Sequence, residues 1–95
     1  MVTKCSALEL GPKEIRVNSV NAGAVQTPIG RALGLTAEQS MHMYDGLIPK
    51  TLMGRIGNAQ NIADHIVFLL SEDAVNITGS IQVNDSGLLL KPVSF

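Results

Sequence analysis

Hydrophobic positions recur along the chain in two spacings, which predict helices alternating with strands. A spacing of three to four residues, typical of one face of a helix, occurs over residues 1–11 and again over 59–71. Two short runs rich in β-branched residues, 15–21 and 77–83, are bounded by turn formers and predict strands. Strands separated by a helix normally pair in parallel through a crossover, so this order favours an α/β fold.

Capping residues mark the start of two predicted helices. Thr36 is followed three residues later by Gln39, which is the pattern of a capping box. It predicts a short helix over 37–45, ended by the glycine that follows. Asn58 is placed to cap the helix over 59–71 through its side-chain oxygen. Both starts are therefore predicted from residues within one helical turn.

The first predicted helix has an end but no start. Gly11, followed by a proline, suits the left-handed residue after a helix. No Ser, Thr, Asp or Asn stands ahead of the periodic positions, so the helix over 1–11 is predicted to be truncated. Parallel sheets are normally covered on both faces and flanked by further strands, and two strands do not provide this. We therefore expect residues 1–95 to be the C-terminal fragment of a single α/β domain.

Composition narrows the possible functions. The formal net charge is −1 and aromatic residues are 3%, so neither charge nor stacking favours nucleic acid as a partner. No apolar run is long enough to cross a membrane and no signal peptide is recognised, so a soluble, cytoplasmic protein is expected. The single cysteine, Cys5, excludes an internal disulfide and is predicted to be a small buried thiol. His42 and His65 lack further ligands at helical spacing, so no metal site is expected.

Three stretches, in order and spacing, resemble the short-chain dehydrogenase/reductase family. They read ALELGP with IRVNSVN, GRIG with VFLLS, and ITG with a following valine, and together they extend over nearly the whole chain. The resemblance implies the C-terminal portion of a Rossmann-like, doubly wound parallel sheet. It also implies NAD(P) as cofactor and a small carbonyl or alcohol compound as substrate of a full-length parent. Residues 83–87 read Val-Asn-Asp-Ser-Gly where the family has Val-Asp-Gly-Gly, which predicts a changed turn.

The resemblance assigns cofactor contacts to the turn after the first strand. Asn21-Ala22-Gly23 match the family's Asn-Pro-Gly stretch, with Ala22 in place of the proline. By the same resemblance, a backbone group of Val25 and the hydroxyl of Thr27 would bind the nicotinamide carboxamide. Gly23 would let the backbone approach the ring closely. An ordinary turn that ends a strand is the alternative interpretation.

The segment 26–57 matches the family's variable substrate-covering loop. Its apolar residues are predicted to line a pocket for a hydrophobic or mid-sized carbonyl compound. The candidates are Leu33, Met41, Tyr44 and Leu47. The alternative for each of them is simple packing of an amphipathic helix.

The sequence contains no residues that match the family's catalytic groups. A Tyr-x-x-x-Lys pair, its serine and a Gly-rich phosphate-binding turn are all absent, and Tyr44 is followed four residues later by Ile48. Lys4 is expected on a solvated face, beyond the position of the catalytic lysine. We therefore expect the isolated chain to bind no dinucleotide and to transfer no hydride. The alternative function is an interaction module that docks on full-length subunits, since members of the family commonly form homo-oligomers.

Overall fold

The structure is a computed structural model of the 95-residue chain, and it describes residues 1–23, 25–26 and 32–90. Those residues include helices and strands that alternate along the chain. In chain order they are α1 Val2–Leu10, β1 Ser19–Ala22, β2 Val25–Gln26, α2 Ala37–Leu47, β3 Gly57–Asn58, α3 Ala59–Leu70 and β4 Ile81–Asn84.

The strands form two parallel pairs. β1 lies beside β4, with Ser19 opposite Ile81 and Ala22 opposite Asn84. β2 lies beside β3. β1 and β4 are neighbours in space although α3 lies between them in sequence, so the predicted α/β class and the parallel crossover are confirmed.

β1 and β4 both begin later than the strands predicted over 15–21 and 77–83. Gly79 has a φ of 71°, which is left-handed and interrupts the extended backbone ahead of β4. Side-chain bonds replace the ladder in this region. The Asn18 amide, for example, donates to the carbonyl of Ile77 at 2.9 Å. The regular ladder therefore starts only after the left-handed residue.

The two predicted helix caps are confirmed. Thr36 Oγ1 accepts from the Gln39 amide at 3.1 Å, and Gln39 Oε1 accepts from the Thr36 amide at 2.8 Å. Asn58 and Asn61 make the same reciprocal pair at the start of α3. The predicted end of the helix over 37–45 is wrong, because α2 continues through the following glycine to Leu47.

The prediction that Gly11 is left-handed is wrong. Gly11 has a φ of −54° and begins a 3-10 turn, Gly11–Lys13, that contains Pro12 at its start. Proline fits the first turn of a helix, so the chain stays right-handed beyond Gly11. Glu14 takes the left-handed conformation instead, with a φ of 62°, and its amide bonds the Gly11 carbonyl at 2.9 Å.

α1 contributes two further corrections. Cys5 is exposed and not buried, since α1 buries none of its residues against the described chain. Lys4 is exposed as expected, but its Nζ donates to the Gly79 carbonyl at 2.7 Å. This lysine therefore joins α1 to the turn ahead of β4.

The buried core is small. Among the residues that the structure describes, the buried ones are Tyr44, Thr51, Leu69 and Ala74. Of the apolar residues Ile66, Leu69 and Leu70 of α3, only Leu69 is buried, while Leu70 is 77% exposed. A groove of about 680 Å³ separates residues 14–20 from α3, so the apolar face of this helix is only partly covered.

The surface area measures how incomplete this packing is. The accessible surface is 7103 Å², about a third more than the roughly 5,300 Å² expected for a compact protein of 10.1 kDa. The Cα radius of gyration is 16.4 Å, against about 12 Å for a compact chain of this length. The described elements therefore leave apolar faces without cover.

Arg16 joins the segment ahead of β1 to the end of α3. Its guanidinium donates to three carbonyls, those of Leu69 at 2.6 Å, Ala74 at 2.9 Å and Ser71 at 3.2 Å. The last carbonyls of a helix have no partner within the helix, and a cation is favoured at that end. Arg16 therefore caps α3 from a distant part of the chain.

Candidate functional site

The turn after β1 lies at the carboxyl ends of the two longer strands. Ala22 ends β1 and stands opposite Asn84, which ends β4. The Gly23 amide donates to the Asn84 carbonyl at 3.1 Å, which extends the ladder by one residue. Open α/β sheets bind ligands in the crevice outside the carboxyl ends of their strands. The last two residues of β1 and the glycine that follows, residues 21–23, are called the Gly23 turn below, and their position fits a cofactor site.

Gly23 is required by a close approach within the chain itself. A Cβ on Gly23 would overlap the Cβ of Asp85 and stand 3.0 Å from the Asp85 Cα. The sequence predicted that a bare backbone is needed here so that a nicotinamide ring can approach. The contact that the structure adds is with the residue that follows β4, so the glycine first of all lets the two strand ends meet.

The other predicted cofactor residues are only partly described. Ala22 is exposed at the strand end. Val25 is half-buried and pairs with Gly57 between β2 and β3. Thr27, the proposed hydroxyl donor, lies outside the described residues. Ala22 ends β1 in the β1–β4 pair, whereas Val25 belongs to the separate β2–β3 pair.

The predicted substrate-loop residues divide by environment. Tyr44 is buried, Leu47 is half-buried, and Leu33 and Met41 are exposed. Met41 and Tyr44 line a groove of about 360 Å³ together with Gln26 and Ile56, which places α2 against the β2–β3 pair. Leu33 and Leu47 do not line this groove. The structure thus brings together two of the four candidates.

A second groove, of about 550 Å³, lies at the carboxyl end of β4. Asn84 and Asp85 line it, as does His65 of α3. Asn84 and Asp85 are also the residues that contact Gly23. This groove therefore adjoins the Gly23 turn.

His65 joins α3 to β4 through two side-chain contacts. Its Nε2 lies 2.6 Å from Gln82 Oε1, and its Nδ1 lies 3.1 Å from Asn84 Nδ2. Sequence reasoning considered this histidine only as a metal ligand and missed the bridge. The alternation of polar residues at 82 and 84 along the last strand was the available signal, since such residues share one face of the sheet.

Within the ranges given above, no cluster of three or more His, Cys, Asp or Glu side chains is placed to hold a metal ion. Nor does any helix in those ranges combine the length and apolar character needed to cross a bilayer.

The turn that follows β4 contains two consecutive left-handed residues. Ser86 has a φ of 55° and Gly87 a φ of 84°. The Gly87 amide donates to Asp85 Oδ1 at 2.8 Å, and the Ser86 carbonyl accepts from the Met53 amide at 3.1 Å. The predicted departure from the family's Gly-Gly pair therefore puts serine where the backbone favours glycine.

Ser86→Gly is expected to raise the free energy of unfolding by about 0.5–1 kcal/mol. A non-glycine residue in the left-handed region costs about 1–2 kcal/mol, and the added freedom of glycine in the unfolded chain returns part of this gain. Urea unfolding followed by circular dichroism measures the change. Ser40→Gly, inside α2, is the matched control and is expected to lower the same quantity by about 0.5 kcal/mol. A loss of stability in both variants would argue against strain at Ser86.

Comparison with known proteins adds independent findings. The chain matches the family model described as enoyl-(acyl carrier protein) reductase over residues 1–89. L-xylulose reductase of Mus musculus is 40% identical over 89 residues, which cover 94% of this chain and 35% of that protein. D-erythrulose reductase of Gallus gallus is 36% identical over 90 residues, covering 95% of this chain and 35% of that protein.

Solved structures give the same result for the fold. A crystal structure of acetoin dehydrogenase from Salmonella typhimurium superposes with a TM-score of 0.76 at 32% identity, covering 99% of this chain and 33% of that one. The chain thus spans about a third of the length of the relatives that it matches.

Proposed function

Because the chain belongs to the short-chain dehydrogenase/reductase family, we propose that it forms the nicotinamide-facing wall and substrate-covering loop of an NAD(P)(H)-dependent oxidoreductase. The reaction would interconvert small carbonyl compounds and alcohols. One observation carries the proposal: the Gly23 turn lies at the carboxyl ends of two parallel strands, bonded to Asn84 and packed on Asp85. The relatives named above are reductases and dehydrogenases of small oxygenated compounds, which supports the substrate class.

The residues of the Gly23 turn would orient the cofactor ring. Bound NAD(P) would supply or accept the hydride. A carboxamide is planar and offers both donors and an acceptor, so a backbone group of Val25 and the hydroxyl of Thr27 would select the ring face that meets the substrate. Ala22, which replaces a proline of the family pattern, restores an N–H and frees φ. We expect this turn to be less preorganised than in relatives that keep the proline.

The groove beside α2 would cover the substrate. Tyr44 is buried and anchors the helix, while Met41 is exposed at the groove and free to contact a small molecule. Apolar side chains here would exclude water from the reacting carbon. Leu33 and Leu47 lie off this groove, and we propose them as residues of the covering loop only.

Hydride transfer needs more than this wall. A general acid must protonate the carbonyl oxygen, and a Gly-rich turn at a helix start must hold the pyrophosphate. The sequence contains neither a Tyr-x-x-x-Lys pair nor such a turn. We therefore propose that residues outside this sequence complete the site, and that the chain alone turns over no substrate.

A segment exchange tests the proposal. The 89-residue segment of Mus musculus L-xylulose reductase that matches this chain is replaced by the corresponding residues of this chain. The expected result is a folded chimera that oxidises reduced nicotinamide cofactor when L-xylulose is added. Gly23→Ala in the chimera should abolish the activity, whereas Gly46→Ala, where a Cβ meets no atom within 4 Å, should preserve it. A chimera that unfolds cooperatively like its parent but binds no cofactor would contradict the proposal.

A further inference from the structure

We propose that His65 is a positioning residue that links α3 to the Gly23 turn, through a ring that carries its proton on Nε2. The link is a property of the folded chain and needs no cofactor. Its consequence for a reaction rests on the function proposed above, because the Gly23 turn is the proposed wall of the nicotinamide site.

His65 of α3 bridges two side chains of β4. His65 is half-buried, and its two ring nitrogens contact different residues, Gln82 at 2.6 Å and Asn84 at 3.1 Å. Gln82 and Asn84 are two residues apart on one strand, so their side chains point to the same face. The ring therefore spans both side chains along the strand and fixes them together.

The two contact atoms determine which ring nitrogen of His65 carries the proton. Gln82 presents its amide oxygen, which only accepts, so Nε2 of His65 must donate. Asn84 presents its NH2 group, which only donates, so Nδ1 must accept. A neutral ring with its proton on Nε2 satisfies both contacts.

Asn84 also contacts the Gly23 turn. The carbonyl of Asn84 accepts from the Gly23 amide at 3.1 Å. The next residue, Asp85, packs so closely on Gly23 that no Cβ fits between them. Ala22 stands opposite Asn84 in the ladder. Asn84 therefore contacts His65 through its side chain and Gly23 through its backbone carbonyl.

The surroundings of His65 define which charges act on it. Asp64 is next to it on α3, and its carboxylate accepts from Gln60 at 2.6 Å. Asp85 lines the same groove from the end of β4, and Met53 lines it from the segment ahead of β3. β1 contributes apolar Val20 on the face that α3 covers. The ring therefore contacts two neutral amides, and the carboxylate of Asp85 lies in the same groove.

Nuclear magnetic resonance of the nitrogen-15-labelled 95-residue chain tests the link without any cofactor. Nitrogen–proton couplings of the imidazole distinguish the two neutral ring forms, and we expect the Nε2–H form of His65. His65→Gln should shift the resonances of the Asn84 side-chain NH2 and of the Gly23 amide. His42→Gln, which changes an exposed histidine of α2, should leave both resonances unchanged.

Three results would overturn the proposal. They are an Nδ1–H ring, ring resonances of an unstructured histidine, or Asn84 and Gly23 resonances that are the same in His65→Gln as in the unaltered chain. The ring form of the unaltered chain decides the outcome even if His65→Gln fails to fold. If the His65 link is absent but the chimera is active, the proposed function stands. If the link is present but the chimera is inactive, only the proposed function is refuted.

Discussion

Gly23→Ala is expected to destabilise the folded chain by about 1–3 kcal/mol, which is the usual cost of inserting an extra carbon into a packed site. The new Cβ would overlap the Asp85 Cβ and stand 3.0 Å from its Cα. The Cα belongs to the backbone and cannot rotate away, so relief requires the ends of β1 and β4 to separate. That movement would also break the bond from the Gly23 amide to the Asn84 carbonyl. Urea unfolding followed by far-ultraviolet circular dichroism measures the loss.

Gly46→Ala is the matched control for Gly23→Ala. Gly46 lies within α2, and a Cβ there would meet no atom within 4 Å. Alanine is favoured over glycine in a helix, so this variant should gain about 0.5–1 kcal/mol. Opposite signs for the two variants are therefore expected. Equal effects would mean that the close approach to Asp85 does not restrain the turn.

Arg16→Met is expected to lower the free energy of unfolding by about 2–3 kcal/mol. Hydrogen bonds to charged groups contribute about 1.5–3 kcal/mol each, and three that share one guanidinium are not additive. The carbonyls of Leu69, Ser71 and Ala74 would lose this donor at the end of α3. Hydrogen exchange should accelerate most in the amides of residues 69–77, which the cap holds, and chemical denaturation gives the total loss.

Two controls separate this cap from a general effect of charge. Arg55→Met removes an exposed guanidinium and should change stability by no more than about 0.5 kcal/mol. Arg16→Lys keeps the charge but has a single nitrogen, so it should restore only part of the loss. Arg16→Met with unchanged hydrogen exchange at the end of α3 would contradict the assignment of the cap.

Features that depend on residues close in sequence were predicted well. The capping boxes at Thr36 and Asn58 involve partners three residues away, and both formed as predicted. The family resemblance likewise depended on short motifs in order, and the family is confirmed. The prediction for the end of the first helix was wrong, because the sequence does not show whether Gly11 or Glu14 takes the left-handed conformation next to Pro12.

Contacts between distant residues were not predictable from one sequence. Arg16 is separated by more than fifty residues from the carbonyls that it caps. Lys4 finds the Gly79 carbonyl in the same way. The left-handed Gly79 delays the start of β4, and the isolated glycine within the run 77–83 was the available signal.

The candidate site shows the same division. A special role for Gly23 was predicted from the motif, but the residue that packs on it, Asp85, follows only from the register of β1 against β4. The bridge of His65 to Gln82 and Asn84 needs the position of α3 over the sheet. The cofactor roles of Ala22, Gly23, Val25 and Thr27 stay predictions. So do the substrate roles of the four candidates in the covering loop.

We propose that this chain provides one wall of a nicotinamide site but neither the proton donor nor the phosphate-binding turn. The most direct measurement is the absorbance of NADH and NADPH over time with the purified 95-residue chain and a panel of small ketoses and diketones. We predict no oxidation above the rate without protein. Oxidation that requires both the chain and the carbonyl compound, and that disappears in Gly23→Ala, would contradict the claim.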